Sequence, residues 1–265
     1  MSARPLPPGY SQAFQVKMFE RLLTCLACIC FLTLPVFHLG CSSDRHRDFA
    51  QAKRVMEEQV IYDHRLTVYC GASFGEDKAA SAPVGFEARG RHELRMNWEH
   101  ALPVAAFGPS FEEWHHPPIE CKRKGKKISR RQCAEMTNPA FRRMAGDMYN
   151  LFPALTPVNA ARSNREFAEL PQARTQFGSC GVKWTRGKFE PPDRAKGQLA
   201  RAVLYMADAY PDRYRLKPAQ QELMDAWDRS FPVDKWECQR ARRIEKLQGN
   251  ENRFIKRPCK RAGLW

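Results

Sequence analysis

From Leu22 to Gly40 the chain is apolar almost without a break, and beyond it the apolar positions fall into short periodic groups. Phe49, Ala52, Val55, Met56 and Val60 recur at helical spacing with Arg and Glu between them, which predicts a helix over Asp44–Tyr62. Leu66–Cys70 reads as a short strand, and the Gly, Ala, Pro and charge-rich residues 75–91 as a surface loop. A second strand is expected over Leu94–Trp98, followed by a short helix over Ala101–Phe107 that Gly108-Pro109 stops, and a loop over Phe111–Pro118. Asn138–Ala145 reads as another helix, and Lys183-Trp184 as part of a strand. Pro191-Pro192 introduces a helix over Asp193–Tyr210 with Ala195, Leu199, Ala202, Val203 and Met206 as its buried stripe. A further helix over Pro218–Phe231 turns Leu223, Met224 and Trp227 inward, and Asp234 caps a last one over Lys235–Leu247, ended by Gly249.

The long apolar run has its own meaning. Lys17 and Arg21 stand before it and Pro35 interrupts it, which is the layout of a secretory signal. The rival is a permanent anchor, which Pro35 and the polar His38 weaken. Leu39-Gly40-Cys41-Ser42 also resembles an imperfect lipoprotein cleavage box, so lipidation of Cys41 stands beside simple cleavage. The expected division is therefore a signal over residues 1–41 and one domain over residues 42–265. Cysteine placement agrees with export: beyond the signal an even set remains, Cys70, Cys121, Cys133, Cys180, Cys238 and Cys259. The pairs closest in sequence are Cys121 with Cys133 and Cys238 with Cys259, which leaves Cys70 with Cys180. A zinc site is the competitor, but no Cys-x-x-Cys spacing survives outside the signal.

The 265 residues carry a formal charge of +15 spread along the body of the chain. Such a surface attracts polyanions, nucleic acid or anionic membrane, without deciding between an enzyme and a binder. The chemistry is suggested by Glu99 and His100: a carboxylate is a hard ligand for an ion such as Mg²⁺, and an imidazole can take a proton from water near neutral pH. On a strand the two would point to opposite faces, so service to one site requires the backbone to turn there. Asn150 offers a neutral oxygen. His115 and His116 invite a metal reading, but adjacent histidines before Pro117-Pro118 read better as an exposed loop.

The motifs that carry these residues, N-W-E-H-A-L-P at 97–103 and G-D-M-Y-N-L-F-P at 146–153, together with V-N-x-x-R-S-N at 158–164, resemble the endonuclease I family of periplasmic and secreted bacterial nucleases. R-A-V-L-Y-M at 201–206, L-M-D-A-W at 223–227, P-V-D-K-W-E-C at 232–238 and Q-G-N-x-N at 248–252 extend the likeness, which covers about Leu66 to Cys259. The resemblance implies an α+β fold: a ββα-metal, or His-Me finger, core in a mostly helical single domain stapled by disulfides. It also implies non-specific cutting of DNA, and of RNA as an alternative substrate, with one Mg²⁺ (Mn²⁺ or Ca²⁺ as substitutes) and 5′-phosphate products. His100 would then be the general base, and Glu99 and Asn150 the metal ligands. An arginine before the matching cysteine steadies charge at the cleaved phosphate in the family, and counting back from Cys133 points to Arg130, with Arg131 as the alternate. Two departures stand out: Ala72 replaces a frequent cysteine and Tyr149 a usual histidine, so Tyr149 is not assigned to the metal.

The Cys121–Cys133 loop is loaded with lysine and arginine, and Lys124, Lys126, Lys127 and Arg131, with Arg162 from the later motif, are the expected contacts to nucleic acid. Arg240, Arg242, Arg243 and Lys246 read as a solvated helix face or as an extension of that surface. Partners are expected to be double- or single-stranded DNA, or RNA, met by a monomer in the periplasm or outside the cell. The membrane would enter only through a lipid at Cys41. A secreted or surface-anchored protein that binds nucleic acid without cutting it is the alternative of another class, and an envelope lipoprotein a third.

Overall fold

The structure is a computed structural model; it describes residues 48–265 except Lys124, and only the backbone of Lys122, Arg123, Lys126 and Lys127. The expected signal over residues 1–41, with Cys41, lies outside the described residues. Among the described residues no helix is long and apolar enough to cross a membrane.

Helix α1 (Phe49–Val55) starts where the Asp48 carboxylate accepts from Gln51 N at 2.7 Å, and it runs on into a π-helical turn, Met56–Val60. Of the expected stripe, Ala52, Val55, Met56 and Val60 are buried. Leu66–Cys70 is not a strand: a single bridge, Leu66 to Ser73, is all the ladder that forms. β1 (Met96–His100) pairs antiparallel with β4 (Leu151–Leu155), in the register Met96 to Leu155 and His100 to Leu151. Between them lie α2 (Val104–Phe107), α3 (Glu112–His115), the short hairpin of β2 (Lys122–Arg123) with β3 (Lys126–Lys127), α4 (Arg130–Thr137) and α5 (Pro139–Ala145). Asn138 caps α5 by accepting from Phe141 N, and Ser129 caps α4 in a reciprocal box with Gln132. The Phe111–Pro118 loop is in part the one-turn helix α3. His115 and His116 are exposed on and beside it, their rings 6.4 Å apart, with His115 Nε2 on Pro109 O.

α6 (Thr156–Arg162) follows β4 directly, so two antiparallel strands and a helix form the local unit that carries the chemistry-bearing residues. A three-stranded sheet comes next, β5 (Glu166–Phe167) parallel to β7 (Lys188–Glu190), which pairs antiparallel with β6 (Lys183–Thr185). Only β6 was foreseen. The chain ends in α7 (Asp193–Ala209), α8 (Pro218–Ser230), α9 (Lys235–Gln248) and α10 (Arg253–Arg261). α10 was not foreseen, because charge and Pro258 hide its buried Ile255 and Cys259. The fold is α+β.

Polar ties and disulfides hold the helical part together and fix it to the turn ahead of β4. Arg201 of α7 is buried and reaches Glu237 at 2.6 Å, Asp228 at 2.9 Å and Phe231 O at 2.9 Å, tying α7, α8 and α9 together. Gly197 makes that approach possible, since a Cβ there would meet Phe231 O at 2.2 Å. Asp147, ahead of the turn Met148–Asn150, accepts from Tyr149 N, Gln248 Nε2, Tyr205 OH and Tyr210 OH at 2.7–3.0 Å. Burial raises its pKa, against the pull of those donors. The disulfides pair as expected from proximity in the chain: Cys70–Cys180, Cys121–Cys133 and Cys238–Cys259.

Candidate active site

β1 stays paired through His100, so the chain does not turn between Glu99 and His100, and the two side chains lie on opposite faces of the ribbon. The reason is the ladder itself: Ala101 N donates to Asn150 O at 3.0 Å, which carries pairing one residue past the end of β1.

On one face, His100 is buried with its ring 4.7 Å from that of Phe49 in α1, and its Nε2 lies 2.8 Å from Ala145 O. A carbonyl only accepts, so Nε2 carries the proton. Nδ1 then holds the lone pair, and it takes no hydrogen bond among the described residues. Burial, with Arg131 and other nearby cations adding to it, lowers the pKa of His100 to about 3, so the ring is neutral. Arg131 stands 5.0 Å and Lys53 4.5 Å from the centre of the Phe49 ring. Arg130, the first residue of α4, is exposed.

On the other face, Glu99 is 2 % exposed; its Oε1 accepts from Tyr69 OH at 2.9 Å and faces Arg162 Nε at 3.3 Å, without hydrogen-bond geometry. Its Oε2 takes no hydrogen bond among the described residues. Burial raises the pKa of Glu99, against the opposing pull of Arg162 and Tyr69. Arg162, expected on the nucleic-acid surface, is buried instead. Its guanidinium donates to the carbonyls of His100, Ala101 and Ser163 and lies over the ring of Phe167. It is a brace for the end of β1, with its donors turned onto backbone carbonyls. Tyr69 is braced in turn, since Arg194 donates to its carbonyl and the neighbouring Cys70 is bonded to Cys180.

Asn150 is fully buried at the His100 end of the ribbon, just ahead of β4. Its Oδ1 accepts from Leu102 N at 2.7 Å and its Nδ2 donates to Leu102 O at 3.0 Å, so the amide bridges the exit of β1. Arg240 of α9, expected on a solvated face, is also buried. Its Nη2 donates to Met148 O at 2.9 Å and Leu151 O at 2.8 Å, bracketing Asn150. Burial lowers its pKa to about 10. Tyr149, in the family's usual histidine position, turns away and donates to Asn250 O and Ala241 O.

Lys124 lies outside the described residues, as do the side chains of Lys126 and Lys127. Sequence reading missed Tyr69, Phe49, the Ala145 carbonyl and the bracing roles of Arg162 and Arg240. Only Arg162 had a local signal, its place in the V-N-x-x-R-S-N run; the others are brought in by tertiary contact.

Whether this site suits a divalent ion can be judged from its donors. Among the described residues no group of three His, Cys, Asp or Glu converges. Glu99 keeps one carboxylate oxygen without a hydrogen bond among the described residues, while Asn150 Oδ1 already accepts from Leu102 N; oxygen donors of these two kinds suit a hard ion that keeps most of its water.

The buried imidazole and the buried carboxylate thus sit on opposite faces of one strand in a strand-strand-helix unit of an α+β fold. The Endonuclease I family model matches residues 40–259, and the chain belongs to that family. A periplasmic deoxyribonuclease of Aeromonas hydrophila is 35% identical over 244 residues, 86% of this chain and 97% of its own length. An extracellular deoxyribonuclease of the same organism is 34% identical over 252 residues, 91% of this chain and 100% of its own. Endonuclease-1 of Buchnera aphidicola subsp. Baizongia pistaciae is 29% identical over 249 residues, 88% and 95% of the two chains. The protein is a nuclease, a hydrolase of phosphodiester bonds.

Proposed function

We propose that the protein is a non-specific endonuclease of DNA, with RNA as a second substrate, working as an exported monomer with one Mg²⁺ in a His-Me finger core. The observation that carries the reading is the His100 ring: Ala145 O fixes the proton on Nε2, so Nδ1 presents a lone pair. His100 Nδ1 draws a proton from water, the water oxygen attacks phosphorus, and the P–O3′ bond breaks; the 3′ oxygen leaves with the bonding pair and takes a proton from solvent, which gives a 5′-phosphate and a 3′-hydroxyl. Glu99 and Asn150 would hold the ion, and because Glu99 and His100 face opposite ways along β1, the three would serve one phosphate only if it lay across the end of the ribbon; when bound, the ion would supply positive charge to the phosphate and the leaving oxygen. Mn²⁺ or Ca²⁺ would fit the same oxygen donors. Arg130, solvent-facing at the start of α4, can reach a phosphate to steady charge as the bond breaks, and Arg131 adds positive field beside His100. Lys124, Lys126, Lys127 and Arg131 would track the backbone, and phosphate contacts explain indifference to sequence.

The names of the Aeromonas relatives support export to the periplasm or beyond, by the signal over residues 1–41 or with a lipid on Cys41. The test is nicking of supercoiled plasmid, beside an RNA substrate, with Mg²⁺ and then with EDTA. His100→Ala should abolish nicking; an unchanged rate removes the general base proposed here. DNA bound but left intact by the Mg²⁺-loaded protein would favour capture without catalysis.

A further inference from the structure

A groove of about 420 Å³ opens where β1 leaves its partner, at Ala101 and Leu102, directly past His100. Arg162, which faces Glu99, forms part of its wall. Around it stand Arg165, Arg213, Arg215 and Lys217 against a single carboxylate, Glu166. That carboxylate already has Lys188 at 2.7 Å and Lys217 at 3.5 Å.

The arginines here are held in an unusual way. Arg165 donates from Nε to Thr185 O and from Nη1 to Ala161 O, Arg213 from Nη1 to Ser110 O at 2.8 Å, and Arg215 from Nε to Pro211 O at 3.2 Å. Arg213 also lies flat over Phe111, 4.4 Å from the ring centre. None of the three meets a carboxylate among the described residues. Each is fixed to backbone and lines the groove, with its remaining N–H groups making no hydrogen bond among the described residues, so the forks are held but lack a counter-charge. A fork oriented in advance suits a phosphate oxygen pair, and it binds at smaller entropic cost than a flexible lysine. Tyr214 stands among them half-buried, its pKa raised to about 12 by burial first and by Glu166 next, and it adds an aromatic face on which a base can stack.

We propose that this groove is a second phosphate-binding subsite, which holds the nucleotides of the substrate strand that flank the scissile phosphate. It is separate from the Cys121–Cys133 loop, and it rests on the nuclease reading above. A strand gripped both at that loop and here would be drawn across the exit of β1. The subsite would therefore favour substrates several nucleotides long over dinucleotides.

The test measures binding with catalysis switched off. The full chain in EDTA is titrated with a fluorescein-labelled single-stranded 20-mer by anisotropy, and log Kd is followed against log NaCl between about 50 and 200 mM. Arg215→Ala and Lys217→Ala, both exposed and so harmless to folding, should each weaken binding several-fold to about ten-fold and flatten the salt slope by about 0.7. Arg229→Ala, an equal loss of charge at the far end of α8, should leave the slope alone. Equal effects of Arg229→Ala and Arg215→Ala would overturn the subsite in favour of overall charge. So would a loss confined to phosphatidylglycerol vesicles with oligonucleotide binding intact, which would assign the groove to a membrane surface. The two readings fail separately. A protein that shows these slopes but never nicks plasmid keeps the subsite and loses the nuclease, and one that nicks with unchanged slopes does the reverse.

Discussion

Arg162→Met removes the brace from the catalytic strand while keeping most of its apolar volume. The wild-type guanidinium is 2 % exposed, faces the equally buried Glu99 carboxylate at 3.3 Å, and donates to three carbonyls, of which His100 O at 3.1 Å and Ala101 O belong to the end of β1. Removing one partner of a buried pair costs about 3–5 kcal/mol, because the remaining charge stays desolvated. Two circumstances select the lower end: Tyr69 OH still donates to Glu99, and the groove walled by Arg162 lets water reach the orphaned carbonyls. A loss of about 3 kcal/mol with a urea slope of about 2–3 kcal/mol/M lowers the unfolding midpoint by roughly 1–1.5 M. The assay is urea unfolding followed by tryptophan fluorescence and far-UV circular dichroism, with disulfides intact. Adding Glu99→Gln should restore about 1 kcal/mol or more, since the double variant no longer buries a lone charge. A single variant within about 0.5 kcal/mol of wild type, the scale of an ordinary surface change, would refute the brace. Additive losses in the double variant would refute the coupling between Arg162 and Glu99.

Arg240→Lys keeps the charge but replaces a planar fork bracketing Asn150 with a single ammonium; nicking should fall about 10- to 100-fold, and an unchanged rate would show that the turn holds itself. Loop closure assigns about 4.8 kcal/mol to Cys70–Cys180, with its separation of 110, against about 2.8 kcal/mol to Cys121–Cys133, with 12. Thermal melts of the paired Cys→Ser variants should follow that order, and the reverse order would point to strain relief or residual structure in the unfolded chain. The hydrogen bond and charge of Arg243 hold the Asp63 carboxyl below its usual range, so its contribution is present above the ordinary value of about 3.9 and lost as pH falls through the lower folded value. The difference in melting temperature between wild type and Asp63→Asn should shrink from pH 6 to pH 3; a difference constant with pH would detach Asp63 from acid sensitivity.

What the sequence determined was what runs of neighbouring residues can encode. Helical spacing located α7, α8 and α9, Asp234 and Gly249 marked the ends of the last of these, and the motifs around Glu99 and Asn150 named the family. Cysteine proximity led to the pairing that the fold adopts. Strands of two or three residues, such as β5 and β7, carry too few positions for an alternation to register, and their pairing is set by distant partners. α10 was hidden because its buried face is small and its exposed face almost wholly basic.

The tertiary structure alone decided the state of the site. Arg162 and Arg240 look like surface charge in one dimension, yet packing buries both and turns them onto the backbone beside the chemistry. The tautomer of His100 depends on a carbonyl 45 residues away, and the environment of Glu99 on a tyrosine 30 residues away. Burial and hydrogen-bond partners are properties of what surrounds an atom, and only folding brings those surroundings together.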